Sequence, residues 1–150
     1  MIPAFDPGTG NLPAGEHHAT WTEIADTFGW NPTRRRQLDG LAQGLAALAQ
    51  ARCTRVWLNG SFVTGKDEPG DFDCVWSPTG VDRRVLQRLA PELLDLSNHR
   101  AAQKLRFGGE FPPNVIERSS AKAFEQFFQT DRNGNPKGIV VIDPTRETWP

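Results

Sequence analysis

The sequence predicts a small α/β (α+β) domain, in which a mixed sheet of about four strands carries helices on at least one face. Two observations support this fold class. Short segments rich in β-branched and aromatic residues, such as residues 54–59, alternate with longer segments whose leucines recur at helical spacing. The 150-residue length suits one domain with a sizeable core, and 37% hydrophobic with 23% charged residues is typical of a globular chain.

The N-terminal part of the chain is expected to form an arm followed by a short helix. Residues 1–19 are rich in proline and glycine, which predicts an extended N-terminal arm before a single domain at residues 20–150. Thr20 stands three residues before Glu23, and this spacing is typical of a helix N-terminus. We therefore expect the first helix to run to about Phe28.

A second, longer helix is expected to follow. Asn31 and Pro32 resemble an N-cap residue followed by proline at the first helical position. Gly40 and Gly44 each weaken this helix by about 1 kcal/mol relative to alanine, so close packing against a neighbouring element is the expected reason for them. The basic run at residues 34–36 is expected to be a solvated helix face rather than an RNA-binding patch. The apolar stripe consists of Leu38, Leu41, Leu45 and Leu48.

The remaining elements follow from turn signals and from the spacing of apolar residues. We expect them in this order: a strand at 54–59, a strand at 71–76, a helix at 82–95 disturbed at Pro91, a helix at 98–104 capped by Ser97, a strand at 105–111, a helix capped by Ser119 or Ser120 with Phe124, Phe127 and Phe128 facing inward, a turn at 131–138, and a buried strand at 139–142.

Composition disfavours several classes of protein. A net charge of −1 argues against a protein that coats nucleic acid by bulk charge. The longest apolar runs, such as Ile139–Ile142, are far too short to span a membrane, and no signal peptide is visible at the N-terminus. The two cysteines are therefore expected to be reduced thiols of a cytoplasmic protein. The three histidines lack the spacing of a zinc site.

The stretch from Trp57 to Trp76 admits two kinds of nucleotide site. Gly60, followed after four residues by Gly65 and Lys66, is nearly a P-loop. However, Asp67 occupies the position of the Ser or Thr that would bind Mg²⁺ in a P-loop, and the next residues will not start a long helix. A P-loop NTPase is therefore the less favoured alternative.

The second kind of site accounts for the whole stretch. A strand ends at residue 59, Gly60 lets the backbone approach a phosphate, and Ser61 offers a hydroxyl and an N–H group. Asp71 and Asp73 are two residues apart in the returning strand, so they project from one face, while Phe72 projects into the core. Two carboxylates on one strand face can share Mg²⁺ ions that bind nucleotide phosphates.

These residues resemble the motif of the nucleotidyltransferase superfamily with the polymerase-beta-like fold. That motif places Gly-Ser some nine to thirteen residues before Asp-hydrophobic-Asp; here nine residues separate Ser61 from Asp71-Phe72-Asp73. Asn59 is polar where the family often has an apolar residue. The chain is most similar to minimal nucleotidyltransferases of toxin–antitoxin pairs, and over most of its length it resembles a poorly characterised bacterial subfamily. The segments that carry this wider resemblance are residues 2–5, 12–15, 127–132 and 137–140.

The resemblance implies a set of metal-binding, catalytic carboxylates. Asp71 and Asp73 would hold two Mg²⁺ ions together with a third carboxylate on a following strand. Glu110 is the first candidate for that third carboxylate, and Glu117 and Asp143 are the alternatives. Without a third carboxylate, the same fold would serve as a non-catalytic binding module, such as an antitoxin-like partner.

The resemblance also implies a substrate and partners. Gly60 and Ser61 would bind the nucleotide, with Lys66 as a further candidate contact to its phosphates. The nucleotide would be an NTP, most simply ATP, and the acceptor would be a hydroxyl on a protein or an RNA. A cognate toxin or antitoxin is the expected protein partner, and no membrane association is expected.

Overall fold

The computed structural model describes residues 1–117, 122–123 and 129–149, with only the backbone described at residues 116–117 and 122–123. The expected α+β class is confirmed. Within these residues, three short 3-10 turns accompany the helices and strands, at Ser61–Val63, Pro91–Leu94 and Pro144–Arg146. The main elements in chain order are β1 (Glu16–His18), α1 (Trp21–Phe28), α2 (Pro32–Gln50), β2 (Val56–Asn59), β3 (Phe72–Trp76), α3 (Arg83–Leu89), α4 (Ser97–Phe107), β4 (Gly109–Glu110), β5 (Ile116–Glu117), β6 (Lys122–Ala123) and β7 (Ile139–Ile142).

The central sheet has five strands in the order β1-β7-β2-β3-β4, one more than expected. β2 runs antiparallel to both β3 and β7, whereas β1–β7 and β3–β4 are parallel pairs. The additional edge strand, β1, lies inside the segment that was expected to be an extended arm. That expectation was wrong for residues 16–18, because their backbone pairs with β7 across more than 120 intervening residues.

The first two helices begin where the sequence predicts. The Thr20 side chain accepts a hydrogen bond from the Glu23 N–H, and the Asn31 side chain accepts one from the Arg34 N–H. Pro32 is the first residue of α2. Both caps satisfy backbone donors that have no partner within the helix, which explains why the local sequence sufficed to predict them.

Close packing accounts for the two glycines of α2, as expected. A Cβ atom on Gly40 would lie 1.8 Å from the carbonyl oxygen of Phe107, and one on Gly44 would lie 2.2 Å from the ring of Phe111. The backbone of α2 therefore contacts the end of α4 directly, and it supports the segment that leads into β4.

The middle of the chain departs from expectation in two places. The helix expected over 82–95 ends at Leu89 and is followed by a 3-10 turn that begins at Pro91. The strand expected over 105–111 is reduced to β4, because α4 continues to Phe107 and ends at Gly108, whose φ is +76°. Burial of the Phe107 side chain stabilises the longer helix. Of the helix expected after Ser119 or Ser120, only residues 122–123 are described, and they form strand β6 instead of a helix; the rest of that segment, with Phe124, Phe127 and Phe128, lies outside the described residues.

The two faces of the sheet have different surroundings. The main hydrophobic core contains Leu58 of β2 and Phe72 and Cys74 of β3, together with the apolar residues of the helices. The opposite face carries a smaller buried cluster that includes Trp57 and Val75. Because side chains alternate along a strand, Asn59 and Asp73 belong to this opposite face. Among the described residues, no helix is both long and apolar enough to cross a membrane.

Candidate functional site

Strand pairing brings three polar side chains together at one end of the sheet. Asn59 of β2 pairs with Asp73 of β3, and Asp73 pairs in turn with Glu110 of β4. Paired residues on neighbouring strands place their side chains side by side on the same face. Asp71 immediately precedes β3, and its charge is close enough to act on Asp73. Asp71, Asp73 and Glu110, the preferred set of carboxylates from the sequence, therefore lie in one cluster.

The backbone of Gly60 packs closely against this cluster. Its φ is +81°, a left-handed conformation that disfavours any side chain, and a Cβ atom there would lie 2.4 Å from Oδ2 of Asp73. Ser61 follows directly and opens the 3-10 turn Ser61–Val63. Gly60 of the Gly-Ser pair is thus in direct contact with Asp73, as the strand–turn–strand interpretation requires.

Burial and neighbouring negative charge raise the pKa of both aspartates. Burial raises the pKa of Asp73 to about 7, and the neighbouring charge of Asp71 and a hydrogen bond with Glu110 add to this effect. Burial, followed by the charge of Glu110, also raises the pKa of Asp71, while Lys104 lowers it. Three acidic groups held this closely favour a bound cation, because a cation would relieve both burial and repulsion.

Three basic side chains of the protein face the same cluster. Arg100 Nε lies 2.8 Å from Oε1 of Glu110, and Lys104 Nζ lies 3.7 Å from the same oxygen. Lys137, which precedes β7, is near Asp73: burial lowers the pKa of Lys137 and the Asp73 charge opposes that shift. The cluster is therefore nearly neutralised from within.

Arg100 reaches Glu110 from an unusual backbone. Asn98, His99 and Arg100 all have left-handed φ and ψ angles, with φ between 51° and 60°, inside the span of α4. For residues other than glycine, this conformation costs about 1–2 kcal/mol each. The helix expected over 98–104 therefore becomes regular about one turn late, and the expectation that Ser97 caps it was wrong. The left-handed turn brings the guanidinium of Arg100 to the carboxylate of Glu110.

The loop between Gly60 and Asp71 does not have the geometry of a P-loop. It leads into β3 instead of a helix, and its backbone carbonyls are bound by one arginine. The guanidinium of Arg34 donates to the carbonyls of Phe62, Thr64 and Lys66, and also to that of Phe28 at the end of α1. Lys66 itself is exposed.

Arg34 is also a correction to the expectation of a solvated basic run. Its side chain is fully buried, and its guanidinium lies 3.7 Å from the centre of the Trp30 ring. Burial lowers the pKa of Arg34 to about 10, so the group stays charged at neutral pH. The sequence alone does not distinguish Arg34 from Arg35 and Arg36, which are exposed.

The two alternative third carboxylates lie in different places from Glu110. Asp143 follows β7 at the opposite end of the sheet, where its carboxylate caps the turn Pro144–Arg146. An open cavity of about 570 Å³ adjoins it there, far from Gly60 and unrelated to the carboxylate cluster. Of Glu117, only the backbone is described, paired with Lys122 in a two-stranded sheet. Glu110 is the candidate that strand pairing brings to Asp73.

The donor atoms suit a hard cation, although they are not gathered around one point. Within the described ranges, no group of three His, Cys, Asp or Glu side chains is arranged to hold a metal ion. Asn59, however, supplies a further oxygen. Its Nδ2 donates to the carbonyl of Trp57 at 2.8 Å, while its Oδ1 is buried without a hydrogen-bond partner. Carboxylate and amide oxygens are ligands that Mg²⁺ accepts.

Asn59, Arg100 and Lys104 belong to this cluster, although the sequence did not single them out as site residues. A polar residue at the end of an apolar strand was the available signal for Asn59. For Arg100 the signal was weaker: Arg100 and Lys104 are four apart on a helix that contains no acidic residue.

Comparison with known proteins identifies a family without assigning an activity. No curated protein and no solved structure matches the chain. Residues 3–143 match the model of a family of unknown function (DUF6932), which covers nearly the whole chain. The chain therefore belongs to the DUF6932 family.

Proposed function

We propose that the protein is a Mg²⁺-dependent nucleotidyltransferase, which moves a nucleoside monophosphate from an NTP to a hydroxyl group. One observation carries this proposal: the backbone of Gly60 lies against the carboxylate of Asp73, with no space for a Cβ atom between them. A backbone that can approach a phosphate therefore lies beside Asp73, one of the carboxylates that would bind the metal.

Each group in the cluster has a role in this reaction. Asp71, Asp73 and Glu110 would hold Mg²⁺, with two ions in the full site. The metal would supply charge stabilisation for the attacking and leaving oxygens. Ser61 and the backbone of Gly60 would position the triphosphate, so that the acceptor hydroxyl attacks the α-phosphate and pyrophosphate leaves. The protein contributes mainly positioning and electrostatic stabilisation.

The resemblance described above supports the choice of substrate and partners. ATP is the proposed nucleotide, and the acceptor hydroxyl belongs to a protein or an RNA. The proposed setting is a cytoplasmic toxin–antitoxin pair or another regulatory system, in which the chain has a cognate protein partner.

A second candidate function is a nucleotidyltransferase-like binding module without catalysis. Two observations favour it: the described acidic side chains are not arranged around a metal position, and Glu110 is engaged by Arg100. Such a module would bind a partner protein through the same fold, and it would show no transfer with any acceptor.

The test is a transfer assay with α-labelled NTPs, Mg²⁺, and candidate protein and RNA acceptors. We expect label on the acceptor, and no label with the double variant Asp71→Asn, Asp73→Asn. The matched control is Asp67→Asn, Glu68→Gln, which removes two carboxylates from the same stretch outside the cluster and should keep activity. Equal transfer by the Asp71, Asp73 variant would refute the proposal. Hydrolysis that depends on Lys66 would instead favour a P-loop NTPase.

A further inference from the structure

We propose that Arg100 is a built-in competitor of the divalent cation, which pairs with Glu110 in the cation-free protein and must release it before a cation binds. This inference rests on the proposed function, because it assumes that the carboxylate cluster binds a metal. It deepens that function by naming what regulates access to the site. We call the contact between Arg100 and Glu110 the latch.

The latch occupies one oxygen of the carboxylate to which the cation would bind. Arg100 Nε lies 2.8 Å from Oε1 of Glu110, and the two side chains are only 30% and 14% exposed. Lys104 adds a second positive charge 3.7 Å from the same oxygen. A divalent ion bound to this carboxylate would lie next to the guanidinium, and two cations so close repel strongly in a half-buried site. Latch and cation therefore exclude each other.

Asn59 provides separate support for a ligand at this cluster. It is fully buried, its amide nitrogen is satisfied by the Trp57 carbonyl, and its Oδ1 has no hydrogen-bond partner. Its pairing with Asp73 places that oxygen on the face of the carboxylates. Buried polar atoms are nearly always paired, so an unpaired oxygen here indicates a missing donor or cation. A hydrated divalent cation supplies both, since its water molecules donate hydrogen bonds and the ion carries positive charge.

The backbone of the latch gives it two states. Asn98, His99 and Arg100 are left-handed, and no side chain caps the start of α4. For residues other than glycine, the right-handed helix is the local preference. Release of Arg100 lets the three residues join α4, and the recovered backbone strain offsets part of the lost ion pair. A cation then shifts the balance towards the released state.

Two variants of the full-length protein should move Mn²⁺ affinity in opposite directions. Arg100→Gln removes the competitor, and we expect the Kd for Mn²⁺ to fall about tenfold, as for the loss of one charge-assisted hydrogen bond. His99→Gly makes the left-handed turn easy and the helix less favourable, so the Kd should rise about threefold or more. The matched control is Arg106→Gln, on the same helix but paired with Glu92, which should leave the Kd unchanged.

Isothermal titration with Mn²⁺ measures the affinity, and the Mn²⁺-induced rise in Tm checks it without nucleotide or acceptor. Unchanged or weaker Mn²⁺ binding by Arg100→Gln overturns the latch; if the wild type then still binds Mn²⁺ and transfers nucleotide, the proposed function stands. If neither protein binds Mn²⁺, latch and metal site both fall. If Arg100→Gln does not fold, the test rests on His99→Gly. Unchanged or tighter Mn²⁺ binding by His99→Gly then overturns the latch.

Discussion

At the scale of single residues, Gly60 is constrained both by its backbone angle and by its neighbour. We expect Gly60→Ala to lower the free energy of unfolding by about 2–4 kcal/mol, because the new Cβ atom adopts a strained φ and collides with the Asp73 carboxylate. Urea denaturation measures this loss. The matched control is Gly70→Ala, where a Cβ atom meets nothing within 4 Å; its unfolding free energy should stay within about 0.5 kcal/mol of wild type. Equal values for the two variants would contradict this account of Gly60.

Asp73 should link stability to pH. Its pKa in the folded protein, about 7, exceeds the ordinary aspartate value of 3.8, so between these pH values the folded state holds a proton that the unfolded state has lost. This contribution to stability is present below about pH 4 and is lost as the pH rises towards 7.

Asp73→Asn removes the ionisable carboxyl group, so the variant does not lose this stability as the pH rises. We therefore expect the variant to be more stable than wild type above pH 7, by about 2 kcal/mol, and to lose nucleotide transfer. Thermal and urea unfolding from pH 4 to pH 8 measure the difference between the two proteins. Asp67→Asn serves as the control, and its unfolding free energy should depend on pH in the same way as that of the wild type. A wild-type minus Asp73→Asn difference that does not change between pH 4 and pH 7 would show that Asp73 has an ordinary pKa.

At the scale of elements, Arg34 joins α2 to the loop before β3. Its guanidinium satisfies four backbone carbonyls in a fully buried position. We expect Arg34→Met to cost about 3–5 kcal/mol of stability, because the carbonyls lose their donor while the site stays buried. Hydrogen exchange should show the loop opening first, at residues 61–70. Arg36→Met, on the exposed side of the same helix, should cost less than about 0.5 kcal/mol; similar losses for both would contradict the anchoring role.

Elements with local signals were predicted well, and elements defined by distant contacts were not. The starts of α1 and α2 depend on Thr20 and Asn31, whose hydrogen bonds reach only three residues along the chain. The end of α4 depends on Phe107, which packs its backbone against Gly40 about seventy residues earlier. A pattern read along the chain contains no information about that contact, so the strand expected at 105–111 was too long.

At the scale of the whole molecule, the N-terminal segment completes the core. Leu12 is 1% exposed, and the following β1 forms one edge of the sheet. We expect Leu12→Ala to lower the free energy of unfolding by about 2–4 kcal/mol, as for other buried leucines. Leu105→Ala is the control of the same residue type, since Leu105 is 90% exposed and should cost little. If chemical denaturation gave the same small loss for both, the segment would be an arm that packs weakly.

The fold class, the starts of α1 and α2, and strands β2, β3 and β7, with Asp71 and Asp73 around the start of β3, were predictable from the sequence alone. These features follow from capping hydrogen bonds and from the two-residue period of a strand, which act between near neighbours.

Which distant groups lie beside those aspartates depends on the three-dimensional packing of the chain. The pairing of β3 with β4 brings Glu110 to Asp73, and the pairing of β2 with β3 places the unpaired oxygen of Asn59 beside it. The left-handed turn that carries Arg100 to Glu110 contradicts the local helix preference altogether. Strand register and burial are set by the packing of the whole chain, and no local pattern encodes them.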